Sequence, residues 1–231
     1  MELRAEAVSV RHDGVLALEQ VKLTIQPAER ALVLGWTGAG KTTLLKVLAG
    51  LLRPGAGTLR WDEADPWAMS LAQRRERQAA FGMVFQADAL FDSMSVLQNV
   101  ELPLLRRGVP SDEATRRARA VLDQVGLGQA LKTFPERLSG GMRKRAGLAR
   151  AIAARPQVLL ADDPLSGLDP ATGSEITLRV AEAAVDRTLI WAATEPPASL
   201  DFGRWIWLER GRVAYDGPPR PALLELDEAV A

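Results

Sequence analysis

Four short apolar runs punctuate the chain, at 31–34 (ALVL), 81–85 (FGMVF), 158–161 (VLLA) and 188–192 (TLIWA). Each is of strand length with almost no polar interruption, the pattern of a strand buried on both faces of a parallel sheet. Helical periodicity lies between them. Residues 112–125 place Ala114, Ala118, Val121, Leu122 and Val125 on one face and Arg116, Arg117 and Arg119 elsewhere, which predicts an amphipathic helix. A second helix is predicted from Lys41 to Leu51. Strand alternating with helix predicts an α/β fold with right-handed crossovers. The two ends read differently. Alternating segments at 7–10 and 21–25 around Asp13-Gly14 predict an antiparallel piece, and 205–215 (WIWLERGRVAY) predict a hairpin turning at Arg210-Gly211. From about Asp88 to Arg137 the chain is mostly helical and charged and breaks the strand rhythm, as an inserted helical lobe would. Residues 218–231, with Leu223, Leu224, Leu226 and Val230, predict a short amphipathic helix packed on its own domain, with dimerisation as the alternative use.

Unusual polar residues follow each apolar run: Gly35 to Thr43 after the first, Gln86 after the second, Asp162 and Asp163 after the third, Thr194 and Glu195 after the fourth. Open parallel sheets bind ligands at their carboxyl edge, so these four positions are expected to converge on one site. Residues 35–42 (GWTGAGKT) fit the phosphate-binding pattern G-x-x-x-x-G-K-[ST]. Glycines let the backbone curl around a phosphate with its amides inward, and the helix that opens at Lys41 points its positive end at the same anion. Lys41 is then expected on the β- and γ-phosphates and the Thr42 hydroxyl on Mg2+. A glycine-rich turn could match the pattern by chance; the strand before it and the helix after it separate the two readings. Asp162, closing a buried strand, is the expected second Mg2+ contact, direct or through water; an acidic pair before Pro164 could also be a solvated turn.

Composition narrows the field. The 231 residues are 47% hydrophobic and 25% charged, ordinary values for one globular domain. Lys+Arg and Asp+Glu each number 29, so the net charge is zero, and with no basic stripe nucleic acid is not an expected partner. The absence of cysteine excludes disulfides and thiol catalysis, and a single histidine, His12, excludes a multi-histidine metal site. The N-terminal MELRAEAVSV carries charges where a signal peptide needs apolar residues, and no run reaches the ~18 apolar residues of a membrane span. A soluble cytoplasmic chain is the expectation, with any membrane role passing through a partner.

Residues 138–142 (LSGGM) resemble the LSGGQ signature of ABC-transporter ATPases, with Met142 in the glutamine's place, and the basic, small-residue run 143–153 (RKRAGLARAIA) follows as in that family. By itself Ser-Gly-Gly is also an ordinary helix start; its place ahead of Asp162 makes the resemblance specific. Other family elements follow in order. Gln86 resembles the Q-loop glutamine, Pro135 stands just ahead of the signature, and Ser166 to Asp169 (SGLD) resembles the D-loop. His12 falls where an aromatic residue stacks on adenine, although a surface histidine beside a turn would look the same. The resemblance covers essentially the whole chain. It implies a P-loop NTPase, α/β with a RecA-like parallel sheet core, an N-terminal antiparallel β piece and an inserted helical subdomain. One ABC domain would then span 1–231, with core and β subdomain at about 1–87 and 146–231 and the helical signature subdomain at about 88–145.

The same resemblance implies the ligands. ATP would meet His12, Gly35, Trp36, Thr37, Gly38, Ala39, Gly40, Lys41, Thr42 and Thr43. Mg2+ would meet Thr42, Gln86 and Asp162. Ser139, Gly140, Gly141, Met142 and Asp169 would face the ATP held by a second ATP-binding subunit docked head to tail. An integral membrane permease would receive the motion, inserting a short helix near 86–105 against Phe91, Met94 and Val96, on the cytoplasmic face of the inner membrane. The segment 85–104 (FQADALFDSMSVLQNVELPL) with LSGGMRKR looks like the Mla-type branch, which implies lipid or hydrophobic-molecule transport and an Mce-type lipid-binding partner. Another cargo, a soluble ABC ATPase acting on DNA or ribosomes, and a regulatory nucleotide-binding module are the alternatives.

Two positions depart from the family pattern. Asp163 stands where the catalytic glutamate follows the Mg2+ aspartate, and Glu195 replaces the switch histidine. An aspartate carboxylate falls about 1 Å or more short of an in-line water, a displacement that can cost about 100-fold in rate. An ionised glutamate cannot donate a hydrogen bond toward a γ-phosphate. Reduced hydrolysis is therefore expected, the alternative being hydrolysis that persists through local compensation, with Asp163, Gln86 and Glu195 as the catalytic positions.

Overall fold

The computed structural model describes residues 1–87 and 89–225. The chain forms two compact units, one from Met1–Gln78 and the chain from Asp186 onward, the other from Ala79–Val185.

In the first unit, β1 (Leu3–His12) and β2 (Val15–Ile25) make a long antiparallel pair, and β4 (Ala56–Trp61) joins β1 on its other side. The turn between β1 and β2 is Asp13-Gly14, with φ of 48° and 83°. Both values are left-handed, as a two-residue hairpin turn demands. The strands run past the expected 7–10 and 21–25 because polar positions alternate with Leu3, Ala5, Val8, Leu18, Val21, Leu23 and Ile25, all buried. β4 was not anticipated: only Leu59 and Trp61 are buried, and pairing with β1 makes the segment a strand.

Also in this unit are β3 (Arg30–Leu34), β7 (Thr188–Ala193), β8 (Arg204–Glu209) and β9 (Arg212–Gly217), in the order β7-β3-β8-β9. β3 runs parallel to β7 and to β8, while β9 returns antiparallel from the Arg210-Gly211 turn. β3 and β7 are buried almost throughout, which is why they read as unbroken apolar runs. Helix α1 (Lys41–Leu48) follows β3 and ends three residues before the expected Leu51. The Gly50 amide bonds to the Val47 carbonyl at 2.8 Å and the Leu51 amide to Lys46 at 2.9 Å, with Gly50 at φ 64°. That left-handed cap stops the helix. Trp61 of β4, fully buried, donates from Nε1 to the Leu48 carbonyl at 2.9 Å and so fastens β4 to the end of α1. Helix α2 (Leu71–Gln78) has no buried residue. The expected C-terminal helix is represented by a single 3-10 segment, Pro221–Glu225, and residues 226–231 lie outside the described residues.

In the second unit, β5 (Phe81–Val84) and β6 (Val158–Asp162) pair in parallel. The rest is helical: α3 (Val96–Leu105), α4 (Ser111–Gln124), α5 (Gly140–Ala153) and α6 (Pro170–Ala183), with a 3-10 turn at Pro135–Arg137. One apolar cluster joins α3, α4 and α5 through Val96, Val100, Leu104, Ala114, Ala118, Leu122, Ala146 and Ala149. The stripe predicted for 112–125 is its contribution from α4: Ala114, Ala118, Leu122 and Val125 are fully buried and Val121 is partly so. The charged face pairs locally, with Glu113 bonded to Arg117 at 2.5 Å and to Arg116. Among the described residues no helix is long and apolar enough to cross a membrane.

Candidate functional site

The glycine-rich loop occupies residues 35–40 of the first unit, between β3 and α1. Its conformation depends on residues without side chains. A Cβ at Gly35 would stand 2.3 Å from the Leu208 carbonyl oxygen, and one at Gly40 would stand 2.4 Å from that of Ala17. Gly40 is also the helix N-cap, at φ 103°, which leaves the first amides of α1 without a side-chain cap. Amides at a helix start, with the positive end of the helix dipole behind them, are donors for an anion. Lys41 folds back over the loop, its Nζ donating to the Gly35 carbonyl at 2.6 Å and to the Trp36 carbonyl at 2.9 Å. The ammonium is thus held against the first two residues of the loop. Trp36 packs edge-on against Trp207, ring centroids 5.7 Å apart at 89°. Neither Nε1 has a hydrogen-bond partner among the described residues.

β7 delivers the other predicted residues of this unit. Leu34 of β3 pairs with Ala193 of β7, so Thr194 and Glu195 emerge beside the start of the loop, both exposed. His12 lies exposed at the end of β1, opposite Val15.

The second unit carries the remaining predicted residues. β5 and β6 are in register, Val84 beside Ala161, so Gln86 and the aspartate pair leave the sheet at the same edge. Asp162 is 3% exposed, while Asp163 is half-buried. Gln86 Nε2 reaches Asp163 Oδ2 at 3.5 Å, the outer limit of a hydrogen bond. Asp163 sits at φ 44°, a left-handed conformation that aspartate tolerates better than most residues. Ser139 caps α5, its hydroxyl accepting from the Met142 amide at 3.2 Å, with Gly140 exposed in the first turn. Asp169 caps α6: Oδ1 accepts the Ala171 and Thr172 amides at 3.1 and 3.0 Å, and Oδ2 accepts the Thr172 hydroxyl at 2.7 Å. Those bonds, led by the Thr172 hydroxyl, hold its carboxyl below the ordinary range. Val96, expected at a partner surface, is instead fully buried in the helical core, whereas Phe91 is 45% exposed. Val96, Val100 and Leu104 recur every four residues along α3 and so share the face that packs into the helical core.

Three structural residues escaped the sequence reading. Asn99 is fully buried and holds the chain around Phe91 and Met94, and Lys144 and Arg150 donate from α5 to the carbonyls of Gln86 and Ala89. No local pattern marks them. Ser70 and Gln73, which cap α2, did carry a legible S-x-x-Q signal.

Comparison with known proteins fits this arrangement. The family described as ABC transporter matches residues 18–166. The chain is 37% identical over 212 residues to the L-cystine transport system ATP-binding protein TcyN of Escherichia coli, covering 88% of this chain and 85% of that protein. It is 41% identical over 166 residues to the methionine import ATP-binding protein MetN of Corynebacterium efficiens, 72% of this chain but 46% of that one. The chain thus spans about half the length of the methionine-import relatives it matches. A dimeric ATP-binding cassette solved in a post-hydrolysis state with ADP and Pi superimposes with a TM-score of 0.86 at 27% identity, over 94% of this chain and 99% of that one. CbiO1 of Clostridium perfringens, part of the ABC transporter complex CbiONQ, superimposes with a TM-score of 0.80 at 29% identity, over 96% and 90%. With well over half of the chain inside the family match, and a glycine-rich loop built on a buried strand and opening a helix, the protein belongs to the ABC transporter family of ATP-binding proteins.

Proposed function

We propose that the chain is the ATP-binding and ATP-hydrolysing subunit of a transporter whose membrane-spanning part is a separate permease. The observation that carries this is the loop at 35–42, with Lys41 held over its carbonyls at 2.6 and 2.9 Å. An incoming β/γ-phosphate replaces those carbonyls as the partner of the ammonium, a stronger charge-assisted contact. The Thr37 to Thr43 amides and hydroxyls complete the cradle. Thr42, Asp162 and Gln86 offer the hard oxygen donors that Mg2+ prefers, with most of its shell left to phosphate and water. The ion would neutralise charge on the phosphates. On this reading His12 lies against the adenine. Ser139, Gly140, Gly141, Met142 and Asp169 serve the ATP of a second subunit docked head to tail. The helical segment at about 88–145 carries the closure to the permease on the cytoplasmic side of a membrane. Exposed Phe91 is the stronger of the remaining contact residues.

Hydrolysis at this chain's own site is slow. Asp163 is a methylene shorter than a glutamate at that place, and Glu195 adds negative charge near a polyanion. For cargo, amino-acid import is favoured by the cystine and methionine relatives. Lipid transport with an Mce-type partner rests on the 85–104 segment and Met142 and is the second reading. Mg2+-ATP turnover of the purified chain tests the first statement: Lys41→Ala abolishes it. Comparing cystine and methionine uptake with phospholipid transfer in cells lacking the chain tests the cargo.

A further inference from the structure

The chain leaving β5 is tied to α5 at two points by cations that the site described above does not use. Lys144, 8% exposed, donates from Nζ to the Gln86 carbonyl. Arg150 donates from Nη1 to the Ala89 carbonyl at 2.5 Å, its guanidinium 5.8 Å from the Phe91 ring centre. From α3, Asn99 donates to the carbonyls of Phe91 and Met94 at 3.1 Å each and accepts the Phe91 amide at 2.8 Å. The segment from Gln86 to Met94 is therefore referenced to the helices around it, and at its first residue to α5, whose own start is the Ser139-Gly140 turn.

Burying an ammonium is costly unless acceptors face it. A bond from a charged donor to a carbonyl is roughly twice as strong as a neutral one. The Gln86 backbone is thereby fixed while its side chain stays exposed. That side chain is poised: at 3.5 Å from Asp163, a shift of a few tenths of an ångström makes or breaks the contact. Something must hold the backbone for such a contact to be reproducible.

We propose that Lys144 is a positioning residue, acting through Gln86: it pins the Gln86 carbonyl to α5, so that the amide reaches Asp163 and the hydrolytic site only when the signature helix is in place. The proposal rests on the nucleotide-binding reading and adds to it a physical tie between the signature helix and the glutamine.

The test uses the purified full-length chain, with single-turnover hydrolysis of labelled Mg2+-ATP measured beside ATP affinity. Lys144→Met is expected to lower the hydrolysis rate about 10-fold and leave ATP affinity within about 3-fold, the split of a residue acting on the chemical step. Lys144→Arg, which keeps a donor, is expected to recover most of the rate. In a Gln86→Ala background Lys144→Met is expected to have no further effect, since residues acting as a unit are non-additive. Hydrogen exchange at 86–91 is expected to rise in Lys144→Met whatever the turnover. A Lys144→Met effect that persists in full without Gln86, or an unchanged rate and exchange, overturns the proposal. A wild-type chain that binds no ATP overturns the nucleotide reading instead, while ATP binding without a response to Lys144→Met overturns only this inference.

Discussion

Lys41 carries the sharpest expectation for a single side chain. Removing a preorganised donor from developing phosphate charge costs about 100-fold or more in rate, so Lys41→Ala lowers kcat/KM by at least that factor. Asp163 and Glu195 act in the opposite direction. The double substitution Asp163→Glu, Glu195→His is expected to raise turnover by about 10- to 100-fold, the scale of correcting a 1 Å misplacement. A glutamate at φ 44° brings some left-handed backbone strain, so a small fall in melting temperature accompanies the gain. Asp169 gives a pH signature. Its folded-state carboxyl lies below the ordinary value of 3.8 because the Thr172 hydroxyl and amides bond the ionised form. Stability from this group is therefore fully present above the ordinary value and is lost as pH falls through the depressed one. Asp169→Ala should melt below the parent at neutral pH, with the gap closing in strong acid; a gap independent of pH would contradict this.

At the scale of elements, the chain's start and stop signals were more legible than its strands' partners. Asp169-Pro170 opens α6 with an N-cap and a proline at the first position, and Ser95-x-x-Gln98 opens α3. The amphipathic stripe of α4 could be read because one face alone is buried. α2 could not be read by periodicity: its eight residues bury none of their side chains, so no stripe exists. β4 was hidden for a different reason, since a strand with two buried positions is defined by its neighbour. Asn99 belongs to this scale as well. Its four bonds stitch α3 to the Phe91–Ser95 turn. Asn99→Leu leaves buried backbone groups unpaired and should cost about 2–4 kcal/mol, read from the denaturation midpoint. Arg204 plays a similar part in the first unit, with two bonds to Asp216 across β8 and β9, at 2.5 and 2.7 Å, and one to Glu29 at 2.9 Å. Those carboxylates raise its pKa further above an already high value, so it stays charged at any working pH.

At the scale of the whole molecule, the proposed second subunit makes its own prediction. If each ATP needs donors from two copies, turnover per chain rises with protein concentration until the dimer saturates, and a slowly hydrolysed ATP analogue shifts the chain toward twice its 25.0 kDa mass in sedimentation. A flat specific activity and a monomer at all concentrations would contradict it. Trp36 supplies a convenient probe: its edge-on contact with Trp207 should change on nucleotide binding, so a fluorescence response is expected that Trp36→Phe removes.

The sequence by itself determined the buried strands, the glycine-rich loop that links a strand to a helix, and the family. These are local in the chain: a strand buried on both faces must be apolar throughout, and a phosphate loop must have glycines at fixed spacing. The tertiary structure decided what local pattern cannot encode. It made 56–61 a strand, buried Val96 and placed the Lys144 ammonium on the Gln86 carbonyl, 58 residues away in sequence. Such contacts depend on which groups end up as neighbours, and a buried charge or carbonyl must find its partner wherever folding has put one.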